Sequence, residues 1–516
     1  MGLFAQLYQA RWPILGAILL LYIASKVRTY MRLRQFKGPF STGWSEVWHV
    51  RAILSLRSHE KYREVTDKYG PISRIGPNDL ITTSPELLMQ MNTVRSPYTR
   101  AAWYNRSSRV EVGKDHIFSL IDEDKHTKRR QQMSPGYSGK ENLSLEPSID
   151  GRVQDLVELI RSKYISTPAQ TKPMDLARKF QYLALDVISL IGFGKTFGHL
   201  KVDSDVDNFI AATEAGFPRI TLTCAIGSLP ILQWPPIARL ISPSENDKTG
   251  LGRMMAMFRR LVEDRLTTST DKRSDMMASF MRHGLSKDEV ITEAFLQIIA
   301  GSDTTATTMR SVMLYIISHP RVYKRLQAEI DHAVESGLLG SSAIISEAQA
   351  KTLPYLNAVI REGIRIHPPV TDIVPKVVPK EGDTVSINGE SIFLPGGTNI
   401  GYCVLGLNRS KALFGDDVDL FRPERWLVED DKDSAVRIEA MKRTTEMMFG
   451  YGKYQCLGKP IAWMEINKAL FELMRHFDWA IERPEKPWTS ANYIGIFFQR
   501  DMWVTITERE PGHSYN

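Results

Sequence analysis

At 516 residues, 43% hydrophobic and 24% charged, the chain has an ordinary globular composition, long enough for two or more average domains or for one large continuous core. Its three cysteines exclude a disulfide framework and suit a reducing compartment. The net charge of +7 allows a basic docking face for an acidic partner or an anionic membrane surface, but without zinc-finger spacing or a long Lys/Arg run it does not argue for nucleic acid.

Between Arg11 and Lys26 lie fourteen uncharged residues rich in Leu, Ile and Ala. As a helix they span roughly 21 Å, short of a bilayer core unless Arg11 and Lys26 snorkel and Trp12 and Tyr22 sit at the interfaces. Lys26, Arg28, Arg32, Arg34 and Lys37 precede the first acid, Glu46, a bias that keeps the bulk of the chain in the cytosol. Residues 1–27 are expected as a single retained anchor and residues 28–516 as the body. The rival is a cleaved signal peptide, which lacks a small-x-small site at Ala24-Ser25-Lys26.

Residues 72–83 read as a hairpin around a Gly-Pro-Asn turn, and most of the chain from there to residue 350 has helical periodicity. The fold class is mainly α with small β-sheets. His126 and Arg130 share one helical face, with a solvated basic surface as the plain alternative. Residues 203–241 are apolar and interrupted by Gly216, Pro218, Pro230, Pro235 and Pro236, which predicts short helices and loops suited to a lid.

Ser286 and Glu289 form a capping box that opens a helix running to His319-Pro320, about 48 Å long. Its middle carries Ala300, Gly301, Ser302, Asp303, Thr304 and Thr305. Either Gly301 opens space beside a ligand while Asp303 and Thr304 handle protons, or the hydroxyls merely back-bond to the preceding turn. Glu362 and Arg365 lie three apart near the end of another helix, stopped by His367-Pro368-Pro369. After mostly apolar residues they suggest a buried pair in need of further partners, Arg425 among them.

The stretch from Phe449 to Gly458 runs Phe-Gly-Tyr-Gly-Lys-Tyr-Gln-Cys-Leu-Gly. Gly450 and Gly452 permit a tight loop, and from Ala462 the apolar residues recur on one helical face through Phe477. Cys456 at that helix's N-terminus is placed to favour a thiolate and ligate a metal; the alternative is a small buried hydrophobe, the role expected of Cys224 and Cys403. The loop fits neither the P-loop spacing nor the dinucleotide fingerprint, since Gln455 stands at the third glycine.

These four ordered motifs, Ala-Gly-x-Asp-Thr-Thr, Glu-x-x-Arg, Phe-x-Pro-Glu-Arg-Trp and Phe-Gly-x-Gly-x-x-x-Cys-x-Gly, resemble the cytochrome P450 family from about residue 40 onward. Wording such as Tyr69-Gly-Pro-Ile and Tyr454-Gln-Cys-Leu is most similar to fungal members of the pisatin demethylase type, which often serve secondary metabolism. The resemblance implies a triangular, helix-rich prism behind one transmembrane helix, and haem b with Cys456 as thiolate ligand. It further implies that Phe449, Gly450, Gly452, Tyr454, Gly458, His126, Arg130, Lys376 and Gly301 contact the haem, and that Asp303 and Thr304 deliver protons. Glu362, Arg365 and Arg425 would hold the haem loop. Tyr454 and Lys376 stand where the family usually has arginines, so fewer charge-assisted contacts are expected.

The implied function is insertion of one oxygen atom from O2 into a lipophilic small molecule by hydroxylation, epoxidation or demethylation. Electrons would come from NADPH through a flavin-containing reductase, with cytochrome b5 as a second donor, at the endoplasmic reticulum membrane. Phe295, Ile298, Ile299, Val370, Ile373 and Val374 are expected to wall the pocket, Tyr493 to Phe498 to close it, and Arg129 and Arg130 to meet the reductase. The rival readings are a haem-thiolate isomerase or dehydratase that needs no reductase, and a non-enzymatic haem sensor or membrane scaffold.

Overall fold

A computed structural model describes residue 8 and residues 11–102, 108–109, 111, 113–227, 229–232, 234, 236–237, 243–244, 246–267, 274–337, 344–428 and 432–510. Near the N-terminus lies helix α1 (Arg11–Arg32), whose most apolar 18-residue stretch has a mean hydropathy of 1.4 and whose apolar side chains are left uncovered. The helix does not stop at residue 27. It continues to Arg32, and the residues just beyond it, Leu33 and Phe36, are buried in a satellite core with Leu80 and Ile400. Tyr30 stacks on Trp44 at 4.3 Å, and Arg32 donates to Gly396 O, so the helix ends against the body rather than in a free linker.

The body is one helical core flanked by small sheets. The hairpin forms as expected: β1 (Ile72–Arg74) pairs antiparallel with β2 (Asp79–Thr82). A five-stranded sheet is completed by β3 (Thr99–Arg100), β4 (Lys376–Val377) and β5 (Asn399–Tyr402), in the order β1-β2-β5-β4-β3. Only β2 and β5 run parallel, and in the β3–β4 pair Arg100 lies opposite Lys376.

The helices that matter for the site are α2 (Glu123–Met133), α3 (Leu145–Lys163), α4 (Leu176–Phe193), α5 (Phe209–Ala225), α6 (Lys287–Ser318), α7 (Pro354–Ile366) and α8 (Lys459–His476). Near the C-terminus β6 (Thr489–Tyr493) and β7 (Ile496–Arg500) form a hairpin. The main core joins α3, α4, α6, α7 and α8, with α4 buried almost all round, the pattern of a central helix. Helix α6 starts at the foreseen capping box, Ser286 Oγ accepting from Glu289 N and Glu289 Oε2 from Ser286 N at 2.8 Å, and ends where Pro320 opens the next helix. The segment expected as short helices contains the continuous α5, which passes through Gly216 and Pro218; Pro218 leaves the Glu214 carbonyl without its helical donor. Pro235 and Ile241, further along that segment, lie outside the described residues.

The Glu362 carboxylate is fully buried and collects five donors: Arg365 Nε and Nη2 at 2.8 Å, Arg425 Nε at 2.9 Å, Arg422 N at 2.8 Å and Trp426 Nε1 at 2.8 Å. Arg365, also fully buried, spends its remaining N–H groups on the carbonyls of Asn408, Val418 and Leu420. Between the two, Gly363 lets α7 approach α6, since a Cβ there would meet Val312 at 2.5 Å. Removing one partner from such a set strands a charge in the interior. Arg365→Ala should therefore lower unfolding stability by about 3–5 kcal/mol, read as the shift in denaturant midpoint of the purified full chain. A loss under about 1 kcal/mol would show that the carbonyls and Arg425 hold the segment without it.

Candidate active site

The loop from Phe449 to Gly458 takes its shape from two positive-φ glycines. Gly450 (φ 74°) and Gly452 (φ 56°) sit where a side chain would be strained, and a Cβ on Gly452 would meet Asn92 O at 2.2 Å. Gly458 has no such constraint; it lies beside Cys456 Sγ and the Tyr137 ring. The Cys456 N–H donates to Phe449 O at 2.6 Å, closing the loop, and the side chain of Cys456 is exposed, unlike those of Cys224 and Cys403. The backbone N–H groups of Gly458 and Lys459, at the start of α8, donate to its sulfur, and Arg130 lies near enough to pull the thiol pKa down. The sulfur is reachable by solvent, yet the protein packed around it desolvates the thiolate more than these groups stabilise it, so the free thiol is pushed up, opposite to the expectation from the helix terminus alone. A metal cation at Sγ supplies the missing positive charge. Among the described residues no cluster of three or more His, Cys, Asp or Glu is placed to hold a metal by itself.

Beside the loop lies an excess of cations. Arg100 and Lys376, opposite each other across β3–β4, flank the Tyr454 ring with Arg100 Cζ 4.6 Å and Lys376 Nζ 3.2 Å from its centroid. Like charges facing across a strand pair repel, and a ring between them offsets only part of that. Lys376 is 2% exposed, and among the described residues its ammonium makes no hydrogen bond or ion pair. Burial, then Arg100, pull its pKa well down. His126 Nε2 accepts from Arg100 Nη2 at 2.8 Å, which leaves Nδ1 buried without a partner. Burial first and Arg100 second push that imidazole down to about 2, so it is neutral. The nearby acid, Glu123, is taken by the Tyr454 hydroxyl at 2.5 Å and by Lys453 at 3.2 Å. Tyr454 therefore presents its ring, not its hydroxyl, to the cations. Arg100 and Lys376, both buried, and Arg130, partly buried, form a cationic seat that a dianionic group beside Cys456 would satisfy, and the two propionates of haem have that charge.

Helix α6 has two unlike faces. Leu296, Ile299, Ala300, Gly301 and Thr304 are the positions in its middle left open by the surrounding protein. Leu296, Ala300 and Thr304 recur at four-residue steps, one row. Thr304 Oγ1 donates to Ala300 O at 2.8 Å, and Ser302 back-bonds to Ile298 O at 2.7 Å, so the plain alternative is realised, yet Thr304 keeps its lone pairs in the open row. A Cβ on Gly301 would meet Ile188 of α4 at 2.9 Å, so packing against α4 is what demands a glycine there. On the covered side Asp303 Oδ1 accepts from Gln181 Nε2 at 2.7 Å, and Gln181 Oε1 accepts from Arg310 Nη2 at 2.6 Å. Burial pushes the Asp303 carboxyl up to about 6, against Arg310 and Gln181.

Several expected positions fall elsewhere. Phe295 and Ile298 are buried in the main core, Phe295 edge-on to Phe258 at 5.9 Å, and Ile373 is buried beside Tyr62 and Cys403; none of the three borders open space. Ile299, Val370 and Val374 remain partly open, and Val374 holds φ 36°, a strained value for a β-branched residue. The β6–β7 hairpin leans on α5 through Phe498 and Phe217, whose rings are 4.8 Å apart. Arg129 is no docking residue: it is buried against Glu289 and Glu293. Arg130 turns toward Cys456, and the exposed cations of α2 are Lys125 and Lys128. The sequence reasoning overlooked Arg100, Gln181, Arg310, Leu296 and Ala300. Four-residue spacing back from Thr304 marks the last two; the others are brought in by strand register and helix packing.

Comparison with known proteins agrees with this geometry. The family model for cytochrome P450 matches residues 39–500. The chain is 38% identical to the cytochrome P450 monooxygenase ABA1 of Pyricularia oryzae, covering 96% of both chains. It is 36% identical to the cytochrome P450 monooxygenase aba1 of Botryotinia fuckeliana, over 93% of this chain and 92% of that one. A cytochrome P450 monooxygenase of Aspergillus terreus is 32% identical over 89% of this chain and 92% of its own. With the match spanning nearly the whole sequence, the chain belongs to the cytochrome P450 family and is a haem-thiolate monooxygenase.

Proposed function

We propose that this protein is a single-pass endoplasmic-reticulum enzyme, its body cytosolic, that inserts one oxygen atom from O2 into a lipophilic small molecule of secondary metabolism. Electrons reach it from NADPH through a reductase. The observation that carries the reading is the exposed Cys456 sulfur, held by two backbone N–H groups, next to cations that have no ion-pair partner among the described residues. The uncovered α1 helix and the basic residues around its end support the anchor and its orientation. The fungal relatives, each a cytochrome P450 monooxygenase, support the monooxygenase reading, and a secondary metabolite is the substrate class implied by the resemblance to pisatin demethylase-type members.

Haem, when bound, supplies activation of O2, with electron donation from the thiolate. Cys456 is its ligand; Arg100, Arg130 and Lys376 hold its propionates, with His126 Nδ1 as a further donor. Leu296, Ile299 and Ala300 with Val370 and Val374 give the substrate an apolar wall that excludes water. Asp303, near pKa 6, is able both to take and to give a proton close to neutral pH, and Thr304 offers free lone pairs in the open row to accept a hydrogen bond from the group that passes it on. Glu362, Arg365 and Arg425 hold the segment that leads into the loop and do no chemistry themselves.

Four outcomes test the reading. Cys456→Ser should abolish the red-shifted thiolate Soret band of the reduced carbon monoxide complex; retention of that band would remove Cys456 as the ligand. Thr304→Ala should keep NADPH consumption but cut product per NADPH by at least about tenfold and release peroxide, whereas unchanged coupling takes Thr304 out of proton delivery. Turnover without NADPH on a peroxide substrate would favour the isomerase class. Lys376→Leu should speed haem transfer to an acceptor apoprotein about tenfold or more, as loss of one charged hydrogen bond of ~1.5–3 kcal/mol implies, and an unchanged rate would leave the propionates to the arginines.

A further inference from the structure

Behind α6, on the side away from the open row, Asp303 borders a cavity of about 10 Å³, enclosed by α4, α5, α6 and β7. That is room for about one water, provided two or more polar groups converge on it. They do: Gln181, Thr213, Glu214, Arg310 and Gln499 line it with Asp303, among apolar walls. Gln499 is 2% exposed and donates through Nε2 to His367 Nε2 at 2.9 Å, but its Oε1 is a buried acceptor without a partner among the described residues. Thr213 Oγ1 donates to Phe209 O and keeps its lone pairs. Glu214 spans the wall: inward it borders the cavity, and outward, partly exposed, it pairs with Arg178 at 2.8 Å and Arg500 at 3.4 Å.

We propose that Glu214 passes protons from solvent to Asp303 through one water in this cavity, so that the acid is recharged from the α5–β7 surface and not from the substrate side. The inference rests on the reading of Asp303 and Thr304 as the proton-delivery pair and names the supply behind it. Insertion of one oxygen atom consumes O2, two electrons and two protons and releases one water. Each proton that leaves Asp303 toward Thr304 is replaced by one from the cavity water, which takes one from Glu214, which takes one from bulk water. No electrons move along this path, and Glu214 acts only through Asp303.

The charged groups facing Asp303 are Arg178 from α4, Glu214 from α5 and Arg310 from its own helix, with Gln181 and Gln499 as the polar neighbours. Burial raises the carboxyl, Glu214 adds to the rise, and Arg310, Gln181 and Arg178 oppose it. A carboxyl so poised exchanges its proton readily at neutral pH.

The test uses full-length holoenzyme reconstituted with reductase, and compares Glu214→Gln, Glu214→Asp, Arg500→Gln and Asp303→Asn. Glu214→Gln should keep the thiolate carbon monoxide band and KM, slow product formation at least about threefold and enlarge the solvent deuterium isotope effect; Glu214→Asp should restore part of the rate. In the resting enzyme at pH 6, the infrared band of protonated Asp303, identified by its loss in Asp303→Asn, should shift more slowly after transfer to D2O in Glu214→Gln than in wild type. Arg500→Gln, which removes the longer of the two outer ion pairs and leaves the carboxyl held by Arg178, should exchange like wild type. If Arg500→Gln is as slow as Glu214→Gln, the ion pair and not the proton path is responsible and the proposal fails. If Glu214→Gln exchanges and turns over like wild type while Asp303→Asn loses turnover, the supply lies elsewhere and the proton-delivery pair stands. If Asp303→Asn turns over normally, the pair itself falls and the proposal with it.

Discussion

The constraint on which the rest depends is the burial of one carboxylate. Glu362 has no contact with water, and an isolated charge in that position costs several kcal/mol or more. It is tolerable because five donors from α7 and from residues 422–426 converge on it, and because Arg365 carries its own surplus N–H groups to three backbone carbonyls between residues 408 and 420. The geometry works only if the irregular stretch from 408 to 426 is laid against the end of α7. A chain with little regular structure thereby acquires a fixed course, and that course leads through the helix at 432–446 to the loop of Cys456. The ion set lies apart from the cleft, yet it helps fix where the loop of Cys456 begins.

A second electrostatic imbalance is left open. Arg100 and Lys376 face one another in the sheet, both buried, with an aromatic ring between them, while Glu123 is engaged by Tyr454 and Lys453. Inside a protein such an arrangement raises the energy of the fold unless an anion arrives. Tyr454 stands where an arginine was expected, which suggested a loss of positive charge at this point. In space the loss is made good, because β3 carries Arg100 onto the same ring. The tyrosine supplies a flat surface for two cations and, through Glu123, a tether to α2.

How much of this was legible in the chain follows from what kind of signal each feature leaves. The hairpin at 72–82, the capping box at Ser286, the stop at His319 and the helix after Cys456 are local, and each appears where its own residues place it. The Glu362–Arg365–Arg425 set was legible because two members are three residues apart and the third lies in a distinctive motif. Arg100 was not, for nothing within a few residues distinguishes it; only its register opposite Lys376 gives it a role. The wall residues went astray for a related reason. Phe295 and Ile298 are apolar and near Thr304 in sequence, but a helix shows only one row to the cleft, and these two lie on the rows that meet Phe258 and the core. Apolar character identifies a buried residue and does not distinguish a pocket from a core.

The middle of α6 shows why its composition departs from that of a good helix. Glycine and a run of polar residues weaken a buried helix by local propensity and by desolvation. Each departure is answered by a separate neighbour: Gly301 by Ile188, Ser302 and Thr304 by carbonyls one turn back, Asp303 by Gln181. The helix therefore remains continuous, without the kink such residues often bring, and presents an open hydroxyl on one face and a buried carboxyl on the next residue round. Adjacent residues on a helix point about 100° apart. That angle lets Asp303 draw on Gln181, Arg310 and the cavity behind the helix while Thr304 faces the cleft in front, so in the proposed reading the helix itself would separate the source of a proton from its place of use.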